Sequence, residues 1–133
     1  MDFWQVTSDT NITVKQYIVL RDDLWMSRWK MVAQGCHAAV ETYKLMLNHP
    51  TYKTVLDEWE KNDERHVTKI CLKVNSLQEL LDLHSTCELL EIPCVLIRDN
   101  WVTEIEPNTV TALWIWPWYI SELEFLKKLK LLK

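Results

Sequence analysis

Four short runs rich in β-branched and aromatic residues alternate with longer segments whose apolar residues recur at helical spacing, which restricts the chain to α/β architectures. The runs are Gln16–Leu20, Val67–Val74, Cys94–Ile97 and Thr109–Trp116, each ending in polar or proline-containing sequence. Between the first two, Ser27 is the expected N-cap of a helix that buries Val32, Cys36, Ala39, Val40, Tyr43 and Leu47 and ends at Asn48-His49-Pro50. Thr51–Lys61 reads as a second helix with Val55, Leu56 and Trp59 inward, and Glu60–Arg65 as a solvated connection. Ser76 and Glu79 make a capping box for a third helix, whose stripe is Leu77, Leu80, Leu81, His84 and Cys87. A second box at Ser121 and Glu124, with Ile120 and Phe125 as a staple, predicts a last helix running into the leucine and lysine tail. The predicted order is βααβαββα.

At 133 residues the chain suffices for one domain, with residues 1–14 read as a loose leader and 15–133 as the folded unit. A hydrophobic content of 48% excludes disorder. No run approaches the ~18 apolar residues of a membrane span, so a soluble, cytoplasmic protein is expected. Cys36, Cys71, Cys87 and Cys94 are spaced 35, 16 and 7 residues apart, which fits reduced thiols better than a zinc site or a secreted disulfide framework. The histidines show no metal-ligand spacing, so neither metal nor cofactor is expected. A net charge of -4 leaves a local basic patch as the means of gripping phosphate.

Arg28 and Lys30 fall in the first turn of the helix after Ser27, where the backbone N–H groups already carry partial positive charge. Either both side chains reach into water, or an anion normally sits there. Arg98-Asp99 comes directly after the third strand; were strands one and three parallel neighbours, Lys30 and Asp99 would meet at the carboxyl edge of the sheet. A carboxylate beside a cation and a hydroxyl such as Thr103 can activate water while the cation stabilises an oxyanion; the alternative for Arg98-Asp99 is a structural ion pair. Cys36 and His37 point about 100° apart on a helix and cannot form a nucleophilic dyad. His37 instead contacts substrate beside Gln34, or is a partly buried histidine bonded to backbone.

KQYIVLRDDL (Lys15–Leu24), KMVAQGCHAAVETYK (Lys30–Lys44), LIRDNWVTEIEPNTVTAL (Leu96–Leu113) and the terminal LKLLK together resemble the archaeal and eukaryotic type of peptidyl-tRNA hydrolase. That resemblance covers Lys15 to Lys133. It implies a single α/β domain with a four-stranded mixed sheet flanked by helices, commonly a homodimer, that hydrolyses the ester between a peptide and the 3′ end of tRNA. It implies a partner that is peptidyl-tRNA, not DNA or membrane; the expected mechanism is metal-free hydrolysis by water, with Asp99 orienting or activating it and Lys30 or Arg28 countering charge. Lys30, Asp99, Thr103 and His37 fall on the positions expected to be catalytic, and Arg28, Gln34, Arg98 and Thr109 on those expected to bind substrate. The rival on this fold is a binding module for tRNA or protein with weakened turnover.

Two departures stand out. Arg28-Trp29-Lys30 replaces a Lys-Gly-Lys run, and arginine's planar fork does not reproduce a compact ammonium. Trp29, Trp101, Trp114 and Trp116 occupy positions where the resemblance leads one to expect glycine or another small residue, and Trp25 and Trp118 are also unexpected. The chain has one glycine and eight tryptophans, against roughly nine glycines at average usage. Remodelled loops, stacking of indoles on RNA bases, and a codon read as tryptophan where the organism inserts glycine are three open accounts.

Overall fold

The computed structural model describes residues 12–62, 67–99 and 108–133. Strand β1 (Val14–Arg21) leads into helices α1 (Arg28–Leu47) and α2 (Lys53–Asn62), strand β2 (Lys69–Val74) and helix α3 (Leu77–Leu89). Strands β3 (Cys94–Asp99), β4 (Thr109–Ile115) and the two-residue β5 (Trp118–Tyr119) come next. Two 3-10 turns and a two-residue β6 (Lys130–Leu131) complete the described chain. The sheet runs β3-β4-β1-β2-β6, with β5 joined to the start of β1. Among the described residues only β1 and β2 pair in parallel. The mixed sheet is as expected, but it has six strands instead of four.

Period-two alternation divides β1 between two layers. Val14, Ile18 and Leu20 join α1 and α2 on one face, in clusters with Ala38, Met46, Leu56 and Trp59. Val19 joins Leu80, Leu83 and Cys87 of α3 on the other. The α3 cap forms as the sequence predicts, with Ser76 Oγ accepting from Glu79 N at 3.1 Å, although the Glu79 carboxylate reaches Asn75 N (3.2 Å). Its buried face is Leu80, Leu83 and Cys87, while Leu77 is exposed. The helix ends in paired backbone bonds, Ile92 N to Cys87 O and Glu91 N to Glu88 O, which place Glu91 at φ 57°.

Helix α1 departs from the expectation for most of its stripe, although Tyr43 packs against the α2-side cluster and Ala39 is half-buried. Its buried residues are Lys30, Gln34, Ala38, Thr42 and Met46, while Val32 (66% exposed), Val40 (56%), Cys36 and Leu47 face outward. The cause lies in the strands beneath, which present polar groups. Gln16 Nε2 donates to Thr42 Oγ1 at 2.8 Å, and the Thr42 hydroxyl lies 2.7 Å from Ala38 O. A polar helix side can be buried where its groups meet partners, although Gln16 Oε1 is buried with no hydrogen-bond partner among the described residues.

The predicted last helix is also absent. Leu123 N, Leu126 N, Lys127 N and Leu129 N all bond three residues back, so the segment winds as 3-10 turns. Leu123, Leu126 and Leu129 recur every third residue and pack on the α3-side core. The Leu132 N bond to Cys71 O (3.0 Å) then draws the tail onto the sheet edge as β6.

All four cysteines are free thiols. A hydrogen bond between the Cys87 and Cys94 thiols pushes Cys87 up and holds Cys94 below its ordinary value. Trp25, Val67, Glu91 and Asn108 have positive φ, and none is glycine. The single glycine, Gly35, sits inside α1.

Candidate active site

Ser27 takes the N-cap of α1 with extended backbone, as predicted, and its carbonyl accepts from Met31 N. The first turns of α1 thereby lie over the carboxyl edge of the sheet. Strands β1 and β3 are parallel because each is antiparallel to β4, but β4 stands between them, so they are not the neighbours expected. Leu20, Ala112 and Ile97 are aligned across the three strands. The chain therefore leaves β1 and β3 at the same edge of the sheet.

An open cleft of about 240 Å³ occupies this edge. Trp29, Lys30, Gln34, His37 and Glu41 line it from α1, Ile97 and Arg98 from β3, and Thr111 and Trp114 from β4. Lys30 is only 5% exposed, with its ammonium 5.9 Å from the centre of the Trp29 ring. Four of the residues singled out from sequence, Lys30, Gln34, His37 and Arg98, thus share one cavity. The Arg98 guanidinium also donates to Asn108 O (3.2 Å). Asp99 is the last residue of β3, next to Arg98 and paired in register with Thr109. Its side chain, Thr103 and Trp101 lie outside the described residues. Arg28 is exposed at the start of α1, and neither it nor Thr109 is among the lining residues.

Thr111 was not singled out from sequence. Between Ile97 and Arg98, strand β3 advances one residue while β4 moves from Ala112 to Val110, leaving Thr111 as a bulge. Simple alternation would send Thr111 to the α3 side with Leu113 and Ile115. The bulge turns it toward α1, where its hydroxyl lies 3.2 Å from Gln34 Oε1. Gln34 Nε2 is 3.4 Å from Met26 Sδ. This amide orientation is the sensible one, since the reverse would aim its oxygen at a sulfur with no proton to give. The signal in sequence was a threonine inside the otherwise apolar run Val110–Ile115.

Arg21 fixes the same edge from β1. It donates to Val110 O (3.0 Å), beside the bulge, and pairs with Asp23 at 2.7 Å. That guanidinium bond holds the Asp23 carboxyl below its ordinary range. Among the described residues no group of three or more His, Cys, Asp and Glu side chains stands together as a metal site. No helix among them is long and apolar enough to cross a membrane.

The tryptophans divide by environment. Trp114 forms part of the cleft wall and packs with Ile18, Leu20 and Ala38. Trp116 and Trp118 meet Tyr52 edge-on, at 5.4 and 6.0 Å between ring centres. The indole N–H groups of Trp114, Trp116 and Trp118 are buried without a hydrogen-bond partner among the described residues. Trp25 is 92% exposed on backbone at φ 56°. Nothing in its surroundings explains a large side chain there.

Comparison with known proteins agrees with this geometry. The family model for peptidyl-tRNA hydrolase PTH2 matches residues 14–132. A peptidyl-tRNA hydrolase of Methanocaldococcus jannaschii is 39% identical over 104 residues, covering 78% of this chain and 86% of that protein. One from Methanococcus maripaludis is 37% identical over 119 residues, 89% of this chain and 98% of the relative. One from Methanopyrus kandleri is 36% identical over 110 residues, with coverage of 83% and 90%. A match that spans both crossover units and the cleft between α1, β3 and β4 leaves one assignment: the chain belongs to the PTH2 family of peptidyl-tRNA hydrolases.

Proposed function

We propose that this chain hydrolyses the ester joining a peptide to the 3′ end of tRNA, releasing stranded tRNA in the cytoplasm. The observation that carries the reading is the cleft in which Lys30 and Gln34 of α1 face the carboxyl end of β3, one residue short of Asp99. Family membership favours turnover over a binding module.

In this reading water attacks the ester carbonyl without a metal, and the freed ribose hydroxyl leaves with a proton. Asp99, with Thr103, orients and activates the water, a role that contributes typically 10²–10⁴-fold. Lys30 offsets the negative charge that develops on the carbonyl oxygen. With its oxygen held by Thr111, the Gln34 amide keeps an N–H for the same oxygen. His37 contacts substrate from the α1 flank, and Arg28, Arg98 and Thr109 hold the nucleotide end. Release of an N-blocked amino acid from its tRNA tests this. Wild type is expected to turn over and Asp99→Ala to fall to background; equal background rates in both would overturn it. Chelator should leave the wild-type rate unchanged, and loss rescued by a divalent ion would overturn the metal-free part.

A homodimer belongs to the same proposal. Val32, Val40 and Leu47 give α1 an apolar outer stripe that the monomer leaves in water. Sedimentation of wild type as a dimer and of Val40→Asp as a monomer is expected; a monomeric wild type would remove it.

A further inference from the structure

The edge of the sheet away from β3 carries a charge arrangement that the fold does not require. Lys73 of β2 and Lys130 of β6 are direct partners across an antiparallel pair. Like charges placed opposite each other on neighbouring strands repel. Their register fixes the face: Lys73 pairs with Leu20 on the other side, and Leu20 lies in the cluster beneath α1. The two lysines are therefore on the layer of the sheet that holds the cleft, close to the carboxyl ends of β1 and β2. Lys73 is partly offset by Asp22 at 3.5 Å. Lys130 is exposed and makes no ion pair among the described residues. Strand order places β6 three strands from β4, roughly 14 Å at the usual spacing. Arg28, exposed at the start of α1, is a further cation on this layer.

We propose that Lys73 and Lys130 form a phosphate-binding step, which holds the tRNA backbone a few nucleotides from the ester lodged in the cleft. The inference rests on the peptidyl-tRNA reading above. A polyanion lying across both lysines would relieve their repulsion, which gives this pair a reason to persist on a chain of net charge -4.

The test is the salt dependence of binding to deacylated tRNA, measured for wild type, Lys130→Ala and Lys53→Ala. Lys53 is an exposed α2 lysine paired with Asp57 and serves as the comparison. Lys130→Ala should lower the slope of log affinity against log salt by about one, while Lys53→Ala leaves it unchanged. With peptidyl-tRNA, Lys130→Ala should raise KM several-fold at unaltered kcat, and with an N-blocked aminoacyl ester on a short oligonucleotide it should match wild type. An unchanged slope in Lys130→Ala, or an equal change in Lys53→Ala, would overturn the proposal. Because binding is read on deacylated tRNA, failure of wild type to hydrolyse peptidyl-tRNA would overturn the catalytic reading and leave the lysine result to stand or fall separately.

Discussion

Helices α1 and α3 cover opposite faces of one sheet and solve the problem of burial in opposite ways. Against the sheet α3 sets Leu80, Leu83 and Cys87, in a cluster made wholly of apolar side chains. Helix α1 sets Lys30, Gln34 and Thr42 against it and turns Val32 and Val40 to solvent. One face is built for stability. The other gives up apolar contact for a cleft of polar groups and leaves an apolar stripe exposed, and the proposed function rests on that contrast.

The largest effect should come from the α1 face. Lys30→Met removes the cation buried in the cleft, and kcat/KM is expected to fall by about 10² or more while the protein remains folded. A variant with near wild-type turnover would detach α1 from the chemistry. Leu80→Ala tests the α3 face, where an emptied site in a close-packed cluster costs about 2–5 kcal/mol of stability by denaturant titration, with turnover of the folded fraction preserved. A larger loss of kcat than of stability in Leu80→Ala would mean that the two faces are not separable.

Thr111→Val should act between these extremes. It keeps the volume of the side chain but removes the hydroxyl that anchors Gln34, a bond of about 0.5–1.5 kcal/mol. The expected result is a fall in kcat of roughly tenfold or less, with little change in KM. Loss in KM alone would assign Thr111 to binding.

The same division separates the parts of the molecule that were legible in the sequence from those that were not. The capping box at Ser76 and the burial of Leu80 and Cys87 were readable because local pattern and tertiary environment agree in α3. That Lys30, Gln34 and His37 line one cleft with Arg98 was legible only in part: helical spacing groups the first three and the strand end marks Arg98, but the expected meeting of Lys30 with Asp99 assumed neighbouring strands that β4 in fact separates. The inward face of α1 was not legible. Its apolar residues do recur at helical spacing, but periodicity does not reveal whether the stripe meets the core or lies exposed. Thr111 escaped because a bulge resets the two-residue alternation that sequence reasoning relies on. The terminal helix failed where a capping box leads into leucines every third residue, a 3-10 spacing whose tail is claimed by the sheet edge.

Acid sharpens the comparison on the α1 side. The Arg21 guanidinium keeps the Asp23 carboxyl below its ordinary value, so near that value the folded state binds fewer protons than the unfolded chain. The resulting stability is present above about pH 4 and is lost as pH falls through the lower folded value. Denaturant midpoints measured from neutral pH to pH 3 should drop further for wild type than for Asp23→Asn. Parallel curves would show that the Arg21 pair contributes nothing to the edge it braces.

The smallest effect concerns the loop that leads into α1. Trp25 is almost wholly exposed at positive φ, so its side chain gains little from burial and strains the backbone. Left-handed geometry costs a residue with a Cβ roughly 1–2 kcal/mol, and glycine is free of that term though its unfolded chain is more flexible. Trp25→Gly should therefore raise stability by up to about 1 kcal/mol in the isolated protein. Applied to Leu83, which fills the α3 cluster on right-handed helical backbone, the same replacement should be destabilising by several times that amount. If Trp25→Gly destabilises instead, the indole makes a contact that the exposed loop conceals, and the strain argument fails at that position.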